Sequence, residues 1–418
     1  MRQYAAVWRL PGAPTLLVVG IVARLGIGMT PLALLLTIEH VTGRYTPAAA
    51  ASGIYALAGA ALSPVAGRLA DRVGPSPVLL VTAVAHPLAL ATLLLVSSSP
   101  DALALIYFAA AVAGATYPPL TAAVRGAWND LTEPGTGRYQ LRNTALAAET
   151  SLFELVFAVG PLLVAGFILV ADAAAALVGS AVITLIGTAV VALSPVMRSR
   201  RPHPSHARAK GLGPLKATGF PALLLCGAGL GLAFGAAAVA VPAYATSHSG
   251  DAGDSLAGVL LGVWGVGSAV GGIWFGTRPP ARNMTRQFST LLAAVAVSFV
   301  AYAVMPTPLA LGVALAVGGL TLAPALTVEN AMVGRIAPGS MLNEAYTWAI
   351  TTMVAASAAG SALAGMIVDQ PHGVPWAFLF GGAAVAVSAA VAALPSGPIA
   401  RADAAAALRL KEALTEVR

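Results

Sequence analysis

Twelve stretches of this sequence are long and apolar enough to cross a lipid bilayer as helices, and few folds satisfy that constraint. They run over 14–37, 47–66, 77–97, 102–123, 143–169, 173–195, 220–245, 255–275, 287–305, 308–331, 344–367 and 374–395. Each supplies the ~20 residues that a helix needs to cross the hydrocarbon core. Open sheets are excluded there, because lipid offers no partner for an unpaired backbone group. Many of the stretches are rich in Gly and Pro, which membrane helices tolerate. Only 9% of the residues are charged and 58% are hydrophobic, where a soluble domain carries about 25% charged residues. Lipid must therefore cover most of the surface, and the expected fold class is an all-α integral membrane protein.

Positive charge sets the expected orientation. Of the 23 Lys and Arg, Arg24 lies inside a span and Arg44 in the first outer loop. All others fall in the N-terminus, the loops from even to odd spans, or the C-terminus. The positive-inside rule then places both termini in the cytoplasm. The segment "RSRRPHPSHARAKGLGPLK" (198–216) has six basic residues and no acid. It reads as a cytoplasmic linker. Its charge is explained by orientation, so no nucleic-acid partner is expected. The single cysteine, Cys226, excludes an intrachain disulfide. The start, "MRQYAAVWRLPGAPTLLVVG", leads directly into a full-length span, so no cleavable signal peptide is expected. The strong preference for Arg over Lys, with abundant Ala, suggests a GC-rich bacterial genome and hence a cytoplasmic (inner) membrane.

The two halves repeat. At an offset of 207, Pro14, Gly20 and Gly28 meet Pro221, Gly227 and Gly235. At 209, Gly53, Tyr55 and Gly67 meet Gly262, Trp264 and Gly276. At 205, Gly114, Thr116 and Pro119 meet Gly319, Thr321 and Pro324. At 200, Asn143, Ala145 and Gly160 meet Asn343, Ala345 and Gly360. Four helix pairs in one order imply parallel repeats, with a solute site between two bundles near the midplane. The expected organisation is a six-helix bundle over 1–195, a basic linker over 196–219, a second bundle over 220–395 and a cytoplasmic tail over 396–418.

After the second span comes "GRLADRVGPSP" (67–77). It resembles the signature of the major facilitator superfamily, Gly-x-Leu-Ala-Asp-Arg-x-Gly, with Gly67, Leu69, Ala70, Asp71, Arg72 and Gly74 matching. Pro75 and Ser76 replace the basic residues that usually follow. The resemblance extends along the chain through the twelve-span plan. It implies the major facilitator fold of two pseudo-symmetric six-helix bundles, with this loop as a gate latch favouring the outward-open state. Physically, Gly67 and Gly74 permit a tight turn, and Asp71 can face a helix N-terminus, where the macrodipole favours an anion. The counterpart "GTRPPAR" (276–282) lacks the acid.

In the fifth span, "GPLLVAG" (160–166) resembles the antiporter motif of the superfamily's exporters through Gly160, Pro161 and Gly166. Val156 and Phe157 stand where a glycine is expected, and the motif ends in Ala-Gly. A plain proline kink is the alternative, and the exporter reading is preferred to it. Just before it, "LAAETSLFELVFAVGP" carries Glu149 and Glu154. An acid at a helix centre costs roughly 2.5–3.5 kcal/mol on insertion scales. Counting from Arg142 at about 1.5 Å per residue, Glu149 lies about 10 Å in and Glu154 about 18 Å in. Glu149 shares a side with Gly160. Glu154 shares the more polar side with Asn143, Ala147, Thr150 and Pro161. Arg24, in the middle of the first span, needs a partner or water, and either glutamate offers the charge. Glu149 is taken as its structural partner and Glu154 as the carboxylate that carries a coupling proton. Superfamily exporters often have an arginine within span 4. Here only Arg125, at the end of that span, is available.

Glu329 and Asn330 close "LTLAPALTVEN" in the tenth span. They either serve the site or reach the inner interface. His86 either shuttles protons or is a neutral, hydrogen-bonded residue beside Pro87. Amides are scarce in the spans, which disfavours a sugar site. Aromatic and sulfur side chains are plentiful, and Met29, Tyr117, Phe234, Tyr244 and Trp348 join Glu329 and Asn330 as candidate cavity residues. Most such residues pack within a bundle or face lipid. No nucleophile or metal constellation appears, so neither an enzyme nor a metal site is expected.

The function these features suggest is proton-driven efflux (antiport) of small amphipathic or drug-like compounds by alternating access, with no cofactor beyond the proton gradient. The chain is expected to act as a monomer. A facilitator-type importer or uniporter of a small metabolite is the alternative; a scaffold or sensor fits the compact loops less well. The orientation has a direct test. A cysteine introduced at Ser205 should react with an impermeant thiol reagent only after cells are opened. Labelling from outside intact cells overturns the topology.

Overall fold

A computed structural model describes residues 2–99, 102–133, 138–200, 213–278, 283–337 and 341–416. Among the described residues every regular element is helical. Twelve helical stretches have the length and hydropathy of a span, numbered here in order: Thr15–Thr42, Tyr45–Ala70, Pro75–Ser97, Leu103–Leu131, Thr144–Val170, Ala173–Leu193, Phe220–Ser249, Gly253–Gly276, Met284–Ala303, Pro308–Ile336, Glu344–Val368 and Gly373–Ala393. Each expected stretch corresponds to one of them.

Several helices overrun the expected ends, most clearly in spans 2, 4 and 10, while spans 6, 9 and 12 stop two residues short, at Leu193, Ala303 and Ala393. The second half of span 4, Leu120–Leu131, is amphipathic, with Trp128 buried and Asn129 and Asp130 outward. A hydropathy limit cuts such a turn off, although the helix continues. Span 4 is also interrupted over Thr116–Pro119, where two prolines remove backbone donors. Span 10 is interrupted between Gly319 and Leu322.

The "GRLADRVG" stretch corrects a sequence expectation. The helix of span 2 runs on to Val73, so Gly67 lies within it and makes no turn. A Cβ at Gly67 would meet nothing. Only Gly74 turns the chain. Its φ of +91° is a conformation that side chains disfavour. The helical pattern of "SPVAGRLADRV" outweighs its glycine, since an isolated glycine costs a helix only about 1 kcal/mol.

Contacts divide the chain into two units. One comprises residues 1–206 with 254–262, the other 207–253 with 263–418. Residues 254–262 belong to span 8 yet group with the first unit, because Gly258 and Gly262 lie against the Ala158–Ala165 stretch of span 5. Of the linker, 201–212 lie outside the described residues, as does the Ser205 site. The tail forms a helix, Pro398–Glu416. Its Ile399, Ala402 and Ala406 are buried, and Asp403 pairs with Arg335 at 2.8 Å. The sequence "RADAAAALRLKEALTEVR" predicts a short amphipathic helix with Leu410, Leu414 and Val417 on one side; the side chains of Leu410 and Leu414 lie outside what is described, as does Val417 altogether.

Within each unit the packing follows the repeat. In the first, span 1 packs on spans 5 and 6, and span 3 on span 6. In the second, span 7 packs on spans 11 and 12, and span 9 on span 12. Glycines set the closest approaches. A Cβ at Gly160 would run into the backbone of Gly28, and one at Gly28 into the carbonyl of Val156. The counterparts behave alike, with Gly360 against Leu232 and Gly235 against Ser357. Likewise Gly114 meets the Tyr55 carbonyl, and Gly319 meets that of Trp264. Small residues at crossing points are how membrane helices pack without a hydrophobic drive. Gly160→Val should therefore separate spans 1 and 5, costing about 1–3 kcal/mol and lowering the melting temperature of the purified protein. Gly166→Ala, with open space around it, should melt like the parent. Equal melting of all three proteins would refute this packing.

Candidate functional site

Span 5 presents one stripe to span 1. Glu149, Phe153, Val156 and Gly160 recur at helical spacing and face the same way. Against them lies Arg24, fully buried. Its Nε donates to the Gly20 carbonyl at 2.8 Å. Its Nη1 donates to Glu149 Oε1 at 2.5 Å, with neither side chain exposed. The guanidinium carbon sits 5.1 Å from the centre of the Phe153 ring, within cation–π range. Arg24 Nη2 has no acceptor among the described residues.

Glu149 holds a second cation. Arg125 Nε, reaching in from the second half of span 4, lies 3.4 Å from Glu149 Oε2. Arg125 is about half exposed, at 47%. Both carboxylate oxygens of Glu149 are thus engaged, each by an arginine. Sequence reading placed Arg125 only at the end of span 4. Its long side chain carries the charge further than its backbone position suggests.

Glu154 lies on a different face of span 5. It is half-buried and flanked by exposed Leu155 and Phe157. No ion pair or hydrogen bond engages it among the described residues. The side chains of Asn143 and Ala147, expected on its face, lie outside what is described.

His86 and Tyr117, with Tyr55, form an aromatic cluster in the first unit. Met29 is wholly buried. His86 is also buried, and its Nδ1 lies 2.8 Å from the Ala113 carbonyl. A carbonyl can only accept, so Nδ1 carries the proton and the ring is held in one orientation. The Tyr117 and Tyr55 rings pack on it at 5.1 and 6.1 Å. His86 Nε2 and the Tyr117 hydroxyl are buried without a partner.

The second-unit candidates do not gather. Tyr244 donates to the Met305 carbonyl at 2.8 Å and stacks on His248 at 4.0 Å. It lines a pocket of about 430 Å³ with Tyr302, Gln370 and His372. Glu329 packs beside Gly227, which is about 25 Å from Tyr244 along span 7 at about 1.5 Å per residue. Tyr244 and Glu329 therefore do not belong to one site. Phe234 is half-buried, with its ring 5.5 Å from that of Trp264. Trp348 is half-buried. Asn330 is exposed and donates back to the Leu326 carbonyl at 2.9 Å.

At the gate motif, Arg72 is exposed and the side chain of Asp71 lies outside what is described. A neighbouring contact was not read from the sequence. Arg200, at the start of the linker, pairs with Asp130 of span 4 at 2.6 Å and donates to the Ala123 carbonyl at 3.1 Å. Gly126 leaves room for its guanidinium. A pocket of about 280 Å³ adjoins this pair, lined also by Gly67, Ala70 and Pro75.

Glu149→Gln should strand the buried charge of Arg24 and cost about 3–5 kcal/mol. Replacing both members, Arg24→Leu with Glu149→Leu, should restore much of that loss. Arg125→Ala should cost about 1 kcal/mol or less, given its exposure. Thermal melting of purified variants in lipid measures all three. An unchanged melt for Glu149→Gln refutes the locking role of the pair.

No curated protein matches the sequence. Solved structures share the fold. A peptide transporter in complex with sulfate superposes with a TM-score of 0.72 at 16% identity, covering 96% of this chain and 99% of that one. A nucleoside transporter gives 0.68 at 14%, covering 90% and 98%. A bacterial homologue of the iron transporter ferroportin gives 0.67 at 15%, covering 90% and 97%. The sequence itself matches the Major Facilitator Superfamily over residues 16–285. With twelve helices fit to cross a membrane, the chain belongs to the major facilitator superfamily and is a membrane transporter rather than an enzyme.

Proposed function

We propose that this chain is a proton-coupled secondary transporter that exports small amphipathic or drug-like compounds by alternating access. The observation carrying the proposal is the contrast between two acids on one helix. Glu149 is locked between Arg24 and Arg125, whereas Glu154 is half-buried with no cation engaging it among the described residues. A carboxylate held by two arginines cannot easily exchange a proton. One without a cation can, and its neutralisation biases a two-state bundle pair.

Export is supported by "GPLLVAG" and by the use of Gly160 for close helix packing. The absence of a glycine at Val156 and Phe157 favours a second reading, a facilitator-type importer or uniporter. The substrate class rests on the scarcity of amides in the spans and their wealth of aromatic and sulfur groups. The reading places the protein in the bacterial inner membrane with both termini cytoplasmic, driven by the proton gradient and needing no cofactor. One chain carries both repeats, so a monomer suffices.

The test is uptake of a panel of labelled compounds into inverted vesicles under an imposed pH gradient. Gradient-driven uptake is the export result. Uptake indifferent to collapse of the gradient overturns the proposal in favour of a uniporter. Glu154→Gln should abolish the driven component and keep passive exchange. A Glu154→Gln protein that pumps like the parent moves the coupling role elsewhere.

A further inference from the structure

The two units are built on one repeat, yet they treat buried charge in opposite ways. In the first, Gly20 lies beside Val124 and the guanidinium of Arg24, both within ordinary contact of its Cβ position. In the second, the corresponding glycine is Gly227, at the offset of 207. The residue that meets it is Glu329, which corresponds to Val124 at the offset of 205. A Cβ at Gly227 would collide with Glu329 Oε1. The carboxyl is therefore seated against bare backbone of span 7, and Glu329 is only 6% exposed.

The cations are missing from this corner. The counterpart of Arg24 is Gly231, and a Cβ there would collide with the Met353 carbonyl. Span 11 has closed onto span 7 where the first unit holds a guanidinium. The counterpart of Arg125 is Asn330, whose amide is turned back to Leu326. The counterpart of Glu149 is Ala349.

Helices packed against the 322–336 segment bring other charged and titratable groups. Span 7 carries Cys226, which donates to the Ser388 carbonyl at 3.4 Å, and, far along the helix, Tyr244 and His248. Span 9 carries Arg286 and Tyr302. Span 11 carries Glu344 and Tyr346, whose hydroxyl donates to the Asn330 carbonyl at 3.3 Å. The tail helix carries Arg401 and Asp403 and, further along, Arg409, Lys411, Glu412 and Glu416, and Asp403 pairs with Arg335 of span 10. None of these is bonded to Glu329 among the described residues, and Glu329 Oε2 is buried without a partner.

We propose that Glu329, seated on Gly227, is a proton-binding site of the second unit and carries a coupling proton in addition to Glu154. A metal cation would need several oxygen ligands, and no group of three or more His, Cys, Asp or Glu suited to one occurs among the described residues. A proton needs one oxygen. The carboxylate takes a proton from water when its corner is open, is buried as the neutral acid in the packing seen here, and returns the proton to water on reopening. An ionised carboxylate in this corner would be an uncompensated buried charge.

The coupling part rests on the proposed proton-driven transport, while proton binding can be tested without it. Infrared spectra of the purified protein in lipid, at neutral pH, should contain the C=O stretch of a protonated carboxyl. That intensity should be lost in Glu329→Gln, remain in Glu154→Gln, and shift in Glu329→Asp. The aspartate variant keeps the test open should the glutamine variant fail to fold. A parent spectrum without the band, or a folded Glu329→Gln protein with its full intensity, overturns the site. In inverted vesicles Glu329→Gln should lose gradient-driven accumulation and keep solute exchange. Loss of the band with parental pumping overturns the coupling role. A parent that shows no gradient-driven transport at all defeats the proposed function instead, and the infrared result still decides whether Glu329 binds a proton.

Discussion

A single buried ion pair organises the first unit. Arg24 and Glu149 lie wholly out of solvent, where either charge alone would be costly. Neither can leave without stranding the other, so spans 1 and 5 are tied at that level. The tie is consistent with the sequence above it. Four, seven and eleven residues beyond Glu149, the same stripe supplies Phe153 under the guanidinium and Val156 and Gly160 against Gly28. Charge fixes the register and small residues fix the distance. The backbones can approach closely only because Gly28 and Gly160 face each other, and that approach keeps water from the pair.

Much of the fold was legible because membrane folding leaves a coarse signal. Length and hydropathy report a span whether or not its partners are known, and the glycine repeats aligned Gly28 with Gly235 and Gly114 with Gly319, which make equivalent close contacts each within its own unit. Helix ends were less legible. The Leu120–Leu131 segment leaves the apolar regime while remaining a helix, so hydropathy stops short of the structure. The gate stretch misled for the opposite reason. Gly67 looks like a turn residue in isolation, but helical continuity through Val73 outweighs it.

Side-chain reach was the least legible quantity. Sequence spacing separated the faces of Glu149 and Glu154, and the structure brings Arg24 to Glu149. It does not announce that Arg125, a residue at a helix end, extends to the same carboxylate. Nor does it indicate that Arg200 folds back on Asp130. Such contacts depend on flexible side chains and on the packing of distant segments. The candidate cavity residues suffered similarly. Aromatic composition marks an apolar interior, but Tyr244 and Glu329 occupy different levels of span 7's surroundings, and composition has no depth coordinate.

The broken symmetry of the repeat is where fold and chemistry meet. Two copies of one bundle pack alike, so equivalent corners lie at equivalent depths within each. Duplicating the charged cluster as well would lock both units in the same way. Instead the first unit keeps acid and cations together, and the second retains an acid alone, with Gly231 closing the place where a cation would stand. A paired carboxylate is indifferent to the proton over a wide range of conditions, because its partners hold it ionised. A solitary one must choose between a proton and water each time its surroundings change. Burial and exposure are what alternate in a transporter, so in the proposed mechanism the unpaired acid is the group whose charge follows the conformational cycle.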